Sequence, residues 1–316
     1  MDLNQDNLTT LAAVLREGTF DAAAASLHIT PSAVSQRIKA LETSTGRILL
    51  RRTKPVTATA DGEVLARLTR QWDLLTAEAG LELRGTPDDD QTPLRDRRRI
   101  HLPIAANADS LATWLLPVLA DFHRAHAVAV EVLRDDESRN SALLRSGDVL
   151  GAITSAPDAI RGTTVIPLGR MRYTPCATRE FIDTWFPDGL TVDALRRAPV
   201  LNFDHDDQLQ QRALAAFAER ASSSSSLAST HPDPPVVYIP ASTEFARAVE
   251  LGIGWGVLPQ AHAAPALDAG RVVELPGPPV DVALYWQSWK VGSPLLGALT
   301  DLMTAAAAAH LHPVAD

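Results

Sequence analysis

The sequence predicts an α/β protein that carries a small helical domain at its N-terminus. Three observations predict this class. Short amphipathic helices fill most of the first 46 residues, and a polar stretch rich in turn-forming residues, "GTPDDDQTPL", lies further along at Gly85–Leu94. Beyond that stretch, strands and helices alternate, which is the pattern of parallel sheets in α/β units. A chain of 316 residues is also longer than one compact domain needs, so we expect more than one unit.

Composition narrows the class of protein. A hydrophobic content of 46% with 21% charged residues is ordinary for a globular chain. The single cysteine, Cys176, leaves no intrachain disulfide or Cys-based zinc site, which suits the cytoplasm. The sequence shows neither a signal peptide nor an apolar run long enough to span a bilayer. We therefore expect a cytoplasmic protein with no membrane partner.

The net charge of −9 is unevenly distributed along the chain. Between Pro31 and Pro55, six basic residues stand against one acidic residue, Glu42. Because the local field governs contact, an acidic protein with such a basic segment can still bind a polyanion.

The N-terminal segment reads as three helices and a wing. "NLTTLAAVLREGTF" ends its helix at Gly18, Asp21–Leu27 forms a short second helix, and Gly46 ends the third. Thr30 or Ser32 can cap the third helix, with the intervening Pro31 in its first turn. "ILLRRTKPVTATADG" then alternates like two strands around a Lys54-Pro55 turn. This order predicts a winged helix-turn-helix.

The third helix places polar side chains at i, i+3, i+4 and i+7, and an apolar face with Val34, Ile38 and Leu41 lies opposite. A merely solvated surface explains that spacing equally well, but the basic wing favours the major groove of double-stranded DNA. We predict that the helix face reads bases and the wing contacts phosphates. The predicted DNA-binding residues are Thr30, Pro31, Ser32, Ser35, Gln36, Arg37, Lys39, Arg51, Arg52 and Lys54.

A longer helix is expected over Asp61–Arg84. Its apolar residues alternate spacings of three and four, which is typical of a coiled-coil dimer seam. A face packed within its own monomer is the alternative. The predicted seam residues are Leu65, Leu68, Trp72 and Leu75. The expected organisation is therefore 1–60 for the winged helix-turn-helix, 61–94 for the dimerising linker helix and hinge, and 95–316 for the remainder.

The remainder alternates strands and helices. The predicted strands are Ile100–Ala106, Val128–Leu133, Leu150–Thr154, Thr164–Leu168, Tyr173–Ala177, Val236–Ile239, Gly254–Leu258 and Val282–Trp286. The predicted helices include Leu111–His126, Ser138–Ser146 and Thr243–Leu251. The serine-rich run that begins at Ser222 is expected to be a surface loop.

Two groups of motifs resemble a known family. "FDAAAASLHITPSAVSQRIKALETSTGRILLRRTKPVTATADG" resembles the DNA-binding domain of LysR-type transcriptional regulators, although Leu49-Leu50-Arg51-Arg52 replaces the usual Leu-Phe-x-Arg. "IAANADSLATW", "LRSGDVLGAIT", "LGRMRYTPCAT", "STEFARAVELGIGWGVLP" and "LYWQSWK" resemble the ArgP/LysG subfamily. The resemblance covers nearly the whole chain. It implies a regulator whose effector is L-lysine or L-arginine and whose targets are basic amino acid export or metabolism genes.

The family resemblance also implies an architecture and partners. It implies a periplasmic-binding-protein-like effector domain with subdomain I at 95–168 and 268–316, subdomain II at 169–267, and a ligand cleft. We place the two chain crossings near Leu168–Met171 and Ala263–Gly270. Self-association as a dimer or tetramer and a contact with RNA polymerase are further expectations. The alternative is an architectural or replication-origin-binding DNA protein without ligand control.

Strand-to-helix junctions supply the candidate effector site. In parallel α/β sheets, ligands lie beyond the carboxyl ends of strands, near helix N-termini whose N–H groups attract carboxylates. Some candidates have structural alternatives: Asp109 or Ser110 as a helix cap, Arg172 in an internal salt bridge, and Asp204–Asp207 as a surface turn or metal site. The predicted effector-binding residues are Asn107, Asp109, Ser110, Thr154, Ser155, Arg172, Asp204, Thr243 and Glu244.

Catalytic signatures are missing from the sequence. We find no glycine-rich phosphate loop, nucleophile elbow or paired catalytic motif. We therefore expect neither an enzyme nor a cofactor or metal.

Overall fold

The computed structural model describes residues 3–83, 100–126, 128–134, 140–222 and 232–313. These form two compact units, described separately below. The first comprises Met1–Ala106, Leu119–Ile166 and Trp286–Leu302, and the second comprises Asn107–Val118, Pro167–Tyr285 and Met303–Asp316. The predicted hinge at 85–94 and most of the serine-rich run (223–226) lie outside the described residues.

Thirteen α-helices are assigned in the described ranges. They are α1 Gln5–Glu17, α2 Phe20–Ser26, α3 Pro31–Thr45, α4 Ala60–Glu82, α5 Ala108–Ser110, α6 Leu116–Ala125, α7 Asn140–Ser146, α8 Arg179–Trp185, α9 Val192–Arg197, α10 Gln208–Ser222, α11 Ser242–Glu250, α12 Gln260–Asp268 and α13 Pro294–His310. A π-helical turn, Leu111–Leu115, joins α5 to α6. None of the helices in the described ranges is long and apolar enough to cross a membrane.

The same part of the chain contains eleven strands. They are β1 Leu50–Arg51, β2 Thr57–Ala58, β3 Ile100–Ala106, β4 Val128–Arg134, β5 Gly151–Thr154, β6 Thr163–Ala177, β7 Val200–Asn202, β8 Val236–Tyr238, β9 Gly256–Pro259, β10 Val273–Glu274 and β11 Val280–Trp289. The winged helix-turn-helix followed by a linker helix and an α/β part confirms the predicted fold class.

Local sequence signals determine where the helices of the winged helix domain begin and end. Thr19 and Thr30 accept hydrogen bonds from backbone N–H groups of α2 and α3 through their hydroxyls. Gly18 and Gly46 end α1 and α3 with φ of 71° and 64°, a left-handed conformation that glycine adopts at little cost. Strands β1 and β2 pair antiparallel, with Leu50 opposite Ala58, and form the predicted wing.

Helix α4 presents two different faces. Leu65 is 6% exposed because it packs into the apolar core of the winged helix, so it does not belong to an exposed seam. The other three predicted seam residues, Leu68, Trp72 and Leu75, are 36%, 48% and 41% exposed. Val64, which is 51% exposed, replaces Leu65 as the fourth residue of the exposed seam.

The second face of α4 packs within the first unit. The Arg70 guanidinium forms an ion pair with Asp148 at 2.7 Å, and the Arg67 guanidinium lies over the Trp289 ring at 5.0 Å from its centroid. Glu78, further along the same face, is buried. The linker helix is therefore attached to the α/β part of this unit by polar side chains.

Parallel strands form the centre of the first unit. Strand β3 pairs with β4, Ile100 opposite Val128, and on its other side with β5, Ile104 opposite Gly151. These bounds agree closely with the predicted ones. At Gly151 a Cβ atom would lie 2.3 Å from the Trp286 ring, so this close approach requires glycine.

In the second unit, β6 pairs antiparallel with β9 and β10, and β7 pairs parallel with β8. Strand β6 is continuous, whereas two separate strands were predicted over its range. The backbone of Arg170 at the expected break exchanges hydrogen bonds with His312 at 2.7 and 3.0 Å, and these bonds keep the segment extended. The chain returns to the first unit at Trp286.

Candidate functional site

The polar face of α3 is exposed while its apolar face forms the domain core. Ser35 and Gln36 are exposed, whereas Val34, Ile38 and Leu41 are at most 2% exposed. The same surface includes the exposed side chains of Ser32 and Lys39. The structure therefore brings the predicted base-reading residues together on one accessible surface.

Two predicted DNA-binding residues at the start of α3 organise the helix itself. The Thr30 hydroxyl accepts a hydrogen bond from the Ala33 N–H at 3.2 Å and lies 2.9 Å from the Ser32 hydroxyl. Pro31 occupies the first helical turn, where its missing N–H costs nothing. These residues fix how the N-terminus of α3 is presented.

Basic residues flank this surface, and they differ in how far contacts within the protein hold their side chains. Arg37 forms an ion pair with Asp6 at 3.1 Å and donates to the Thr10 hydroxyl at 3.4 Å, so it ties α3 to α1. The Arg52 guanidinium lies 5.9 Å from the centroid of the Phe20 ring. Arg51, Arg52 and Lys54 in the wing are all exposed, the arrangement expected of phosphate contacts.

The start of α5, in the second unit, supplies a partly exposed carboxylate beside buried polar atoms. Asn107 Oδ1 and Ser110 Oγ are buried, and the described residues offer neither a hydrogen-bond partner. Asp109 is half-buried, and one carboxylate oxygen accepts a hydrogen bond from the Tyr173 hydroxyl at 2.8 Å. Buried polar atoms are normally paired, so this junction has unused capacity to bind a polar group.

The start of α11, like that of α5, has a buried polar atom without a hydrogen-bond partner among the described residues. Ser242 is 7% exposed, and no hydrogen bond to its hydroxyl is found in the described ranges. The predicted residues Thr243 and Glu244 follow it and are exposed. The buried member of this junction is thus Ser242, which the set of predicted site residues omitted.

Thr154 and Ser155 lie at the carboxyl end of β5 in the first unit. The Gln287 amide nitrogen donates to the Thr154 hydroxyl at 3.2 Å and to the Ala156 and Asp158 carbonyls at 3.0 and 3.2 Å. Gln287 therefore fixes this turn, while its own oxygen has no partner among the residues described.

Arg172 forms the internal salt bridge that was one of its two predicted alternatives. Its Nε and Nη2 atoms donate to the two Asp281 carboxylate oxygens at 2.9 and 3.1 Å. The hydrogen bond from Arg172 holds the pKa of Asp281 below its usual value, and Asp281 in turn raises the pKa of Arg172. Since this bidentate pair occupies the guanidinium, Arg172 is a poor candidate for an effector carboxylate.

The acidic cluster Asp204–Asp207 forms a turn and a helix cap. Asp204 accepts a hydrogen bond from the Asp206 N–H at 2.8 Å, and Asp207 accepts from the Phe203 and Leu209 N–H groups at 2.8 and 2.9 Å. Burial raises the pKa of Asp207. The cluster therefore forms the turn that was one of its predicted alternatives. Among the described residues, no three His, Cys, Asp or Glu side chains are arranged so that they could hold a metal ion together.

Tyr173 and Gln287 are the functional candidates that sequence reasoning missed. Both lie in strands and are buried, where a polar side chain leaves no periodic signal that separates it from a core position. The position of Tyr173 within "LGRMRYTPCAT" was part of a family motif, but nothing in that motif connects it to Asp109.

Comparison with known proteins identifies the family. A model described as "Bacterial regulatory helix-turn-helix protein, lysR family" matches residues 5–63, and one for the "LysR substrate binding domain" matches residues 95–308. The lysine export transcriptional regulatory protein LysG of Corynebacterium efficiens is 43% identical over 309 residues, which cover 98% of this chain and 99% of that protein. ArgP of Pseudomonas fluorescens Pf0-1 is 35% identical over 313 residues, which cover 97% and 98%.

Solved structures agree with this comparison. A crystal structure of ArgP from Mycobacterium tuberculosis superposes with a TM-score of 0.83 at 38% identity, covering 99% of this chain and all of the other. Full-length LysG from Corynebacterium glutamicum with arginine bound as effector superposes with a TM-score of 0.77 at 37% identity, covering 98% and 100%.

Proposed function

Since the chain belongs to the LysR family of bacterial DNA-binding transcriptional regulators and its relatives are of the LysG and ArgP type, we propose that it regulates transcription in response to a basic amino acid, lysine or arginine. The observation that carries this proposal is the structure of the Corynebacterium glutamicum LysG with bound arginine, to which 98% of this chain can be superposed. The proposed targets are genes of basic amino acid export or metabolism.

We propose that α3 enters the major groove of its operator. Ser35 and Gln36 offer hydroxyl and amide groups that pair with base edges, and an amide can bind adenine through two hydrogen bonds. Arg51, Arg52 and Lys54 would neutralise phosphates on either side. The ion pair of Arg37 with Asp6 gives that residue a structural role in presenting the helix.

We propose that the effector binds in the second unit at the start of α5. A basic amino acid brings a carboxylate, which needs N–H or O–H donors, and cationic groups, which need a paired acid when desolvated. The Ser110 hydroxyl is a candidate donor, and the Asp109 carboxylate is a half-buried acceptor. Asn107, Ser242 and Glu244 add polar groups of the same unit, whereas Arg172 is occupied by Asp281.

Self-association through α4 is part of the same proposal. Val64, Leu68, Trp72 and Leu75 expose a stripe of large apolar side chains along the helix. An exposed apolar stripe of this size marks an interaction surface. Pairing two such helices would place two copies of α3 on two half-sites spaced by whole turns of DNA.

Ligand dependence separates this proposal from an architectural or origin-binding protein. The test is DNA binding to the region upstream of the protein's own gene, by footprinting with and without millimolar lysine or arginine. We expect the footprint to change with one of them. An unchanged footprint, together with no calorimetric binding of either amino acid, would favour the architectural alternative.

Calorimetry with variants tests the site. Asp109→Ala should lose most of the affinity for the effector, because the paired acid is removed. Asp183→Ala is the matched control, since Asp183 is an exposed acid on α8 of the same unit. Undiminished affinity in the Asp109 variant would remove Asp109 from the site.

A further inference from the structure

The hydrogen bond between Tyr173 and Asp109 joins residues 64 positions apart in the chain. Asp109 lies in the short helix α5, where its backbone carbonyl also accepts a hydrogen bond from the Thr113 hydroxyl at 2.6 Å. Tyr173 lies on β6, and the bond runs from its hydroxyl to Asp109 Oδ2 at 2.8 Å. Both residues belong to the second unit. The contact therefore ties the proposed effector junction to the sheet.

Tyr173 is well suited to hold another side chain in place. It is 3% exposed, and its backbone pairs in register with Pro259 of β9. Met171 and Cys176 on the same strand are buried as well. A tyrosine has only two side-chain torsions, so a buried ring anchored in a ladder presents its hydroxyl at one position at little entropic cost.

Asp109 is the more accessible partner, since it is half-buried whereas Tyr173 is almost fully covered. A ligand that reaches this contact from solvent would meet the carboxylate first. A carboxylate offers about four lone-pair positions, so accepting from Tyr173 does not exhaust its capacity for N–H donors. The tyrosine would then act on the ligand through the carboxylate rather than by touching it.

We propose that Tyr173 is a positioning residue for effector binding, which fixes the Asp109 carboxylate in the orientation that receives a cationic group of the ligand. This inference rests on the proposed function, because it requires a basic effector at Asp109. A carboxylate free to rotate must lose that freedom on binding, and a preorganised one has already lost it. The hydroxyl of Tyr173 therefore contributes to affinity for cationic ligands without contributing to the contact itself.

A double-variant cycle on the full-length protein tests this role. Tyr173→Phe keeps the ring and removes only the hydroxyl, and we expect it to weaken L-arginine binding about tenfold, which corresponds to about 1.4 kcal/mol. In an Asp109→Ala background the same change should have no further effect, because there is no carboxylate left to position. Calorimetry measures the tighter affinities, and ligand-observed NMR reaches millimolar ones.

Two controls separate positioning from a general effect on the fold. Tyr285→Phe makes the same chemical change on β11 of the same unit, where no hydrogen bond of the hydroxyl is found within the described ranges, and it should bind arginine like the wild type. Thermal unfolding of each variant reports whether the fold is intact.

The outcomes distinguish this role from the proposed function. If Tyr173→Phe weakens binding equally with and without Asp109, the effect is structural and the positioning role is overturned. Undiminished binding by the Tyr173→Phe single variant would also overturn it, because the hydroxyl would then contribute nothing to affinity. Both results leave arginine binding by the wild type in place. A wild type that binds neither arginine nor lysine would remove the proposed function, and the positioning role with it.

Discussion

Glu78 connects the linker helix to the α/β part of the first unit, and its removal is expected to weaken that connection. The residue is 7% exposed, and its Oε1 atom accepts hydrogen bonds from the Ser293 hydroxyl at 2.7 Å and the Leu295 N–H at 2.9 Å. Both donors stand at the start of α13, where backbone N–H groups have no partner within the helix. The carboxylate thus caps α13 from a position 215 residues earlier than Ser293.

Two effects of opposite sign decide the result of Glu78→Ala. Losing two hydrogen bonds to a charged acceptor costs about 1.5–3 kcal/mol each. Against this, the change removes the buried Oε2 atom of Glu78, which has no hydrogen-bond partner among the described residues, and an unpaired buried polar atom costs about 1–3 kcal/mol. The lost bonds are the larger effect. We expect the free energy of unfolding to fall by about 2–3 kcal/mol.

Glu78→Gln keeps an acceptor oxygen and removes the charge, so both effects shrink together. We expect a loss of less than about 1 kcal/mol for this variant, because a neutral acceptor keeps roughly half the strength of each bond. Urea unfolding followed by tryptophan fluorescence measures both variants. Glu82→Ala is the matched control, since Glu82 is exposed near the end of the same helix. A Glu78→Ala protein as stable as the control would refute the reasoning.

Three further predictions concern DNA binding, assembly and the cysteine. Gln36→Ala should change base preference at one or two operator positions by about 1–3 kcal/mol, whereas Arg51→Ala should weaken all sequences alike and lower the salt slope by about one unit. Binding titrations at several salt concentrations check both, and altered sequence preference in the arginine variant alone would contradict the assignment. A Leu68→Glu, Trp72→Glu double variant should sediment as a monomer, and a dimer that binds DNA normally would argue against the α4 stripe. Burial raises the pKa of the Cys176 thiol to about 12 and also covers the sulfur, so alkylation at pH 8 should be at least about a thousandfold slower in the native protein than in urea. It should accelerate as pH rises, and equal rates in both states would contradict its burial.

Much of the N-terminal domain could be predicted because its signals are local. The caps at Thr19 and Thr30 act on N–H groups within three residues, and the glycines that end α1 and α3 stand directly after the last turn. The alternation of polar and apolar residues in α3 indicated which face packs and which is exposed. Family resemblance extended the prediction to the α/β part and to the kind of effector, where composition and periodicity alone would have stopped at the fold class.

The seam of α4 shows where periodicity becomes ambiguous. Leu65 lies three positions before Leu68 and Val64 lies four before it, so a seam with spacings of three and four residues can begin at either one. The structure decides between them because the winged helix core covers Leu65 and leaves Val64 exposed. Spacing along one helix cannot show which of its apolar residues another element will cover.

The candidate effector site depended on tertiary structure even more strongly. The sequence by itself determined that polar residues follow β3 and β5 and begin α11, because strand ends and helix starts leave local marks. It left open whether Arg172 meets a ligand or an internal acid, and it gave no sign that Tyr173 meets Asp109. Asp281 lies 109 residues from Arg172, and Tyr173 lies 64 from Asp109. Only the folded chain decides such pairs, because a hydrogen bond between distant residues depends on how sheets and helices pack and imposes no spacing on the sequence.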